Sequence, residues 1–119
     1  MNNAAKTVHY FSFYLFLVGA TLIITPNTLL DLFGFDPTSE VWIRVVGVLA
    51  VTLGIYYYRM SGTNNRTYLQ TTIIGRSAAA SFFLLFVLAG WTKPALIGFA
   101  AVDMLGALWT WQALKKTIN

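Results

Sequence analysis

The chain alternates between four long apolar stretches and short polar connections. Each stretch has about 18–21 residues, enough for a helix to cross a hydrocarbon core of about 30 Å. A membrane barrel would need an apolar residue at every second position, and the sequence lacks that alternation. The pattern therefore predicts four membrane-spanning helices, at about residues 8–25, 41–58, 71–91 and 94–114.

The longest connection, residues 26–40, has a helix signal of its own. Pro26 suits the first turn of a helix, apolar side chains surround Asp31, and Gly34 ends the pattern. We expect a short amphipathic helix in the membrane interface, with a plain loop packed on the bundle as the alternative. The predicted fold is all-α: a single-domain integral membrane four-helix bundle with a short interfacial helix between helices 1 and 2.

Composition supports a membrane protein and excludes several other classes. The 119 residues are 57% hydrophobic and only 10% charged, whereas soluble domains carry about a quarter charged residues. The net charge of +4 comes from scattered basic residues without a patch, so we expect no nucleic-acid partner. Without cysteine and with one histidine, the chain offers no thiolate and no two-histidine site. We therefore expect no metal and no cofactor.

Charges and aromatic residues predict an orientation. One side of the predicted bundle holds Lys6, Arg59, Arg66, Lys115 and Lys116, and the other holds Lys93 with three acidic residues. This bias places both termini in the cytoplasm and opposes a dual topology. Aromatic anchors are expected at the outer interface at Trp42 and Trp91, and at the inner one at Tyr57 and Trp109.

Three ionisable residues fall within the spans and form the candidate polar cluster: Asp103, Arg76 and Arg44. Asp103 lies near the middle of the last span on a face of small residues, so we expect it to point into the bundle. It is either a proton, cation or ligand site, or a structural acid. Arg76 is its expected partner by depth, with snorkelling of Arg76 towards the cytoplasm as the alternative.

Arg44 lies one turn inside the outer end of the second span. We expect it to snorkel outwards or to pair with an acid of the preceding loop; contact with a lipid phosphate is the alternative. Small residues also recur at helix-packing spacing, which predicts close packing inside the chain with some surface left for partners. They are Ala50 and Gly54, Gly75 and Ala79, and Gly98 with Ala101 and Gly106.

The order of these features resembles a known group. Leu-Leu-Asp-Leu-Phe-Gly lies at 29–34, Arg-Val-Val-Gly at 44–47, Gly-Ile-Tyr-Tyr at 54–57, Gly-Arg at 75–76 and Val-Asp-Met-Leu-Gly-Ala-Leu-Trp at 102–109. This arrangement is similar to the small four-helix bacterial inner-membrane proteins described as DoxX-like. The resemblance implies an inner-membrane location and an accessory role, because some relatives accompany quinol oxidases or redox assemblies. It also implies that Arg44, Arg76 and Asp103 are a polar signature, and it carries over no catalytic residue.

Together these features predict a non-enzymatic accessory or scaffold subunit of a membrane complex or homo-oligomer. Its partners would be the lipid bilayer and other subunits. One alternative is a small transporter or channel that uses Asp103 as a proton- or cation-linked site. Another is a lipid- or quinone-binding protein that uses Arg44 and the Trp42–Trp91 belt. An enzyme is not expected, because one acid and two arginines lack a suitable general-base partner.

Overall fold

The computed structural model describes residues 1–116 and contains, within that range, helices joined by turns and short loops. The helices are α1 Asn3–Ile24, α2 Pro26–Leu32, α3 Trp42–Ser61, α4 Arg66–Leu88 and α5 Leu96–Lys116. All but α2 are long and apolar enough to cross a membrane. The predicted all-α bundle of four spans, with a short helix between the first two, is confirmed.

Two helices begin five residues earlier than the apolar pattern predicts, because polar residues cap them. The Asn2 side chain accepts a hydrogen bond from the Ala5 amide at 2.7 Å, so α1 begins at Asn3. The Asn65 side chain accepts one from the Tyr68 amide at 2.9 Å, so α4 begins at Arg66. Such caps satisfy amides that have no partner inside the helix. Hydropathy reports where a helix is apolar and not where it starts.

Helix α1 lies at the centre of the bundle and contacts each of the other helices. Its closest neighbour is α3, and glycines make that approach possible. A Cβ added at Gly47 would lie 2.7 Å from the Gly19 carbonyl oxygen, so a side chain there would collide with the backbone. Helices α4 and α5 form a second closely packed pair, whereas α3 and α4 touch only sparsely. The bundle therefore has a gap between α3 and α4.

The two ends of the bundle differ in charge as the sequence predicted. At one end the Asn2 amide donates to Asn64 Oδ1 at 2.8 Å, which brings the amino terminus against the α3–α4 turn. At the other end Lys93 Nζ lies 2.9 Å from Asp36 Oδ1. The basic residues predicted to be cytoplasmic all belong to the first end. Which end faces the cytoplasm stays a prediction.

Candidate functional site

The gap between α3 and α4 holds a half-open groove of about 590 Å³. Its α3 wall extends from Ile43 to Tyr57, a length of about 21 Å at the helical rise. Helices α1 and α5 form its floor, and Leu29, Leu30 and Phe35 cover the end of the groove next to α2. Most of the lining is aliphatic or aromatic. The ionisable side chains that face it, apart from tyrosine hydroxyls, are Arg76 and Asp103.

Arg76 is almost completely enclosed, with 3% of its surface exposed. Its Nε donates to the Thr72 carbonyl oxygen at 3.1 Å, and its Nη2 donates to Thr72 Oγ1 at 3.0 Å and to Thr110 Oγ1 at 2.8 Å. The Thr110 hydroxyl also lies 2.6 Å from Thr7 Oγ1. A chain of buried polar groups therefore ties α4 to α5 and α1 below the groove.

The second terminal nitrogen of Arg76, Nη1, is buried and has no hydrogen-bond partner. The guanidinium carbon lies 4.8 Å from the centre of the Phe11 ring and 5.8 Å from that of Tyr57, so aromatic faces supply part of the solvation that water would give. Gly106 makes room for the group, since a Cβ there would lie 3.0 Å from Nη1. An unpartnered charged donor in an apolar interior is costly, and the two aromatic faces offset part of that cost.

Asp103 is half-buried and lines the same groove, as expected for an acid pointing into the bundle. The predicted direct pair with Arg76 is not formed: within residues 1–116 neither a hydrogen bond nor an ion pair joins them. Threonine hydroxyls of α4 and α5 accept the hydrogen bonds of Arg76 instead. Thr72 lies on the same face of α4 as Arg76, and Thr110 lies opposite it on α5. The snorkelling alternative is also wrong, since the head of Arg76 is held inside the bundle. Arg76 and Asp103 thus share a cavity without neutralising each other by contact.

Arg44 lies apart from the other two members of the predicted cluster and does not line the groove. Its Nη1 donates to the Ile23 carbonyl oxygen and lies 3.5 Å from that of Ile24, at the end of α1. The last carbonyls of a helix have no amide partner within it, and Arg44 supplies one. The expected pairing with an acid of the α2–α3 loop is therefore replaced by a cap on α1.

Three of the four predicted aromatic anchors have exposed side chains, and the fourth is buried. Trp42 and Trp91 are exposed, at 69% and 77%, and Trp109 is half exposed and stacks on Tyr10. Their position relative to the membrane interface stays a prediction. Tyr57 is not an interface anchor, because only 9% of it is exposed and its ring lines the groove beside Arg76. Its neighbours Tyr56 and Tyr58 are the exposed tyrosines of that turn.

Sequence reasoning missed the buried hydroxyl of Thr7 altogether. Thr72 lies four residues before Arg76 and Thr110 seven after Asp103, so each shares a helical face with a member of the predicted cluster, and this spacing was the available signal. Nothing comparable singles out Thr7, whose role depends on how α1 packs against α5. Within residues 1–116, no three His, Asp or Glu side chains come close enough to hold a metal ion.

Comparison with known proteins adds no relative. No protein-family model matches the chain, no curated protein is significantly similar to it, and no solved structure matches it. The DoxX-like resemblance therefore stays a prediction.

Proposed function

We propose that this protein is a non-enzymatic, multi-pass membrane protein that binds a membrane-dissolved amphiphile, a lipid-like or quinone-like molecule, in the groove between α3 and α4. The observation that carries the proposal is the groove itself, whose otherwise apolar lining contains two ionisable side chains, Arg76 and Asp103, that no ion pair joins within residues 1–116. Binding sites for small molecules combine apolar walls with a few placed polar groups in this way.

The dimensions of the groove support a small ligand with an apolar tail. Its volume of about 590 Å³ lies within the range of about 300–1,000 Å³ typical of ligand pockets. The opening between α3 and α4 faces outwards from the bundle, where membrane lipids would lie. A molecule could therefore enter sideways from the bilayer, place its tail along α3 and bring its polar head to the half-buried Asp103.

A bulky side chain in the groove tests this proposal. Gly75 lines the groove and an added Cβ there meets nothing within 4 Å, so Gly75→Trp should fold and occupy the site. Gly98→Trp is the matched control: Gly98 is a glycine of α5 outside this groove, with only Phe33 at 3.8 Å. We expect wild type and Gly98→Trp in lipid nanodiscs to retain the probe 4-decylphenol in native mass spectrometry, and Gly75→Trp to lose it. Equal retention by all three proteins would refute the proposal.

The accessory-subunit role predicted from the sequence is a second candidate, favoured by the same gap. Open space beside Gly75 could receive a helix of another subunit or of a second copy. The chain has no cysteine, so a single Gly75→Cys variant gives a clean crosslinking probe in native membranes. A specific crosslinked species is expected if a protein helix covers the gap, and its absence favours a lipid-filled groove.

A proton-linked transporter is the third candidate, and Asp103 is the observation behind it, since its carboxyl faces the groove without an ion-pair partner among the described residues. Such a transporter must move a solute in response to a proton gradient, and the conservative variant Asp103→Asn must abolish that coupling. Proteoliposomes in which both proteins bind 4-decylphenol but show no gradient-driven flux would leave binding as the function.

A further inference from the structure

The two ionisable side chains of the groove differ in what a bound molecule can reach. Arg76 is closed off: Thr72 and Thr110 accept the hydrogen bonds of its Nε and Nη2, and its remaining nitrogen, Nη1, is enclosed within the protein. Asp103 is half-buried and lines the groove. A ligand in the groove therefore meets the negative member of the two and not the positive one.

The Asp103 carboxyl has no partner in the part of the chain that the structure describes, where it accepts no hydrogen bond and joins no ion pair. In that same range the enclosed side-chain atom without a partner is Arg76 Nη1, so the unpaired oxygens of Asp103 are accessible. A carboxylate only accepts hydrogen bonds, and those from a cation are the strongest. The group that completes this site therefore brings hydrogen-bond donors, and it binds most strongly if it is positively charged.

Aromatic rings lie near Asp103 on two helices. Phe99 is one turn before Asp103 on the same face of α5, and both line the groove. Tyr14 of α1 is within electrostatic range of the carboxyl, and Tyr14 and Phe99 also border a smaller cavity of about 250 Å³ next to the groove. Aromatic rings attract cations to their faces, and an uncharged head lacks this attraction. The surroundings of Asp103 thus favour a positively charged group.

Charge and depth exclude an anionic or phospholipid head at this site. A phosphate or carboxylate is repelled by Asp103 and cannot contact the enclosed Arg76. An ammonium at about 2.8 Å from the carboxylate has the reverse balance, because its attraction acts at contact and its repulsion from Arg76 acts at a longer distance. Asp103 also lies about 10 Å along α5 from the first residue of that helix, within the depth of the hydrocarbon core and below phospholipid headgroups.

We propose that the ligand is a lipophilic amine, an amphiphile whose ammonium head donates to the Asp103 carboxylate and whose apolar tail lies along α3. This deepens the proposed function and rests on the groove being the binding site. Alkylamines keep their proton at neutral pH, as the lysine side chain does, so the head is a cation when it enters. An alcohol, which donates one hydrogen bond without a charge, is the competing head that the test must exclude.

Three probes with one carbon skeleton test the charge of the head. They are 4-decylbenzylamine, a cation, 4-decylbenzyl alcohol, which is neutral, and 4-decylbenzoic acid, an anion. Each pair is loaded at equal mole fraction into nanodiscs of zwitterionic lipid, and the bound ratio is read by native mass spectrometry. Because the probes partition differently into lipid, the quantity compared between proteins is the ratio of bound amine to bound alcohol.

Substitutions that change charge and little else assign the preference to one carboxylate. Asp103→Asn keeps the size of the side chain, and we expect it to lower the amine-to-alcohol ratio about tenfold or more. Asp31→Asn is the matched control, because Asp31 is an exposed acid of α2 outside the groove and its loss changes the net charge equally. Its ratio should equal that of wild type. Asp103→Glu keeps the charge and should retain most of the preference.

The possible failures are distinguishable. An amine-to-alcohol ratio that is unchanged in Asp103→Asn, or lowered as much in Asp31→Asn, shows that Asp103 does not hold a cation and overturns this inference. So does displacement of the amine from wild type by 4-decylbenzoic acid. Retention of 4-decylphenol by Asp103→Asn checks that its groove is intact, and in each of these cases the groove still binds amphiphiles. The proposed function itself fails if wild type retains none of the probes, 4-decylphenol included, better than Gly75→Trp does.

Discussion

Two glycines, Gly47 of α3 and Gly75 of α4, serve opposite purposes in the bundle. Against α1, Gly47 lets the helices approach until a Cβ would lie 2.7 Å from a backbone oxygen and 2.9 Å from Leu22 Cβ. Across the gap, Gly75 of α4 has open space, and a Cβ there would meet nothing within 4 Å. A glycine in a membrane helix thus either permits contact or leaves a space. The first use produces a rigid seam between α1 and α3, and the second a site that another molecule can fill.

Alanine substitution at the two glycines should give the largest difference in the free energy of unfolding. Gly47→Ala forces a methyl group into the α1 backbone and should destabilise the bundle by about 2–3 kcal/mol, as overpacking does. Gly75→Ala should be neutral or stabilise it by up to about 1 kcal/mol, because only helix propensity changes. The free energy of unfolding in bicelles measures both. Equal costs at the two positions would show that the gap is closed in the membrane.

Loss of the buried hydroxyl below the groove should have the next largest effect. Thr110→Val keeps the shape but removes one of the two acceptors of Arg76 Nη2, and leaving one hydrogen of this buried charged group unpaired should cost about 1–3 kcal/mol. Thr71→Val is the control, because Thr71 is exposed and bonds only to the carbonyl oxygen of Thr67 in its own helix. Its effect should be a few tenths of a kcal/mol. Similar unfolding energies for the two variants would mean that Arg76 does not depend on Thr110.

Apolar length and charge bias could predict the spans, the short helix α2 and the grouping of basic residues at one end, because these features depend on local composition. Asp103 pointing into the bundle was also predictable from the small residues on its face. The gap between α3 and α4 was not, since Gly75 and Gly47 look alike in sequence. Nor was the partner of Arg76, which depended on a rotation of α5 that puts Thr110 nearer than Asp103.

Asp103 should contribute less to stability than Thr110, although it is the more conspicuous residue in the sequence. Asp103→Asn preserves size and breaks no hydrogen bond present within residues 1–116, so we expect a change in unfolding free energy below about 1 kcal/mol. Thr110→Val in the same bicelles is the reference. A loss as large as that of Thr110→Val would restore the structural interpretation of Asp103, as an acid held by Arg76, over its role in binding.

The smallest effect on stability is expected at the end of the groove next to α2. Lys93 donates to the Gly34 carbonyl oxygen at 3.2 Å and to Asp36 at 2.9 Å, and between these two residues Phe35 covers the groove. Both charged side chains are largely exposed, so Lys93→Met should change the unfolding free energy by less than about 1 kcal/mol.

The same substitution should nevertheless loosen the segment that covers the groove, because the α2–α3 loop loses its contact with the α4–α5 turn. Hydrogen exchange at the Phe35 amide, which donates to the Leu30 carbonyl oxygen at 2.8 Å, should quicken, while the amides of α1 facing α3 stay protected. Unchanged exchange at Phe35 would show that α2 holds the cover without Lys93, and that the groove differs from the α1–α3 seam in packing but not in mobility.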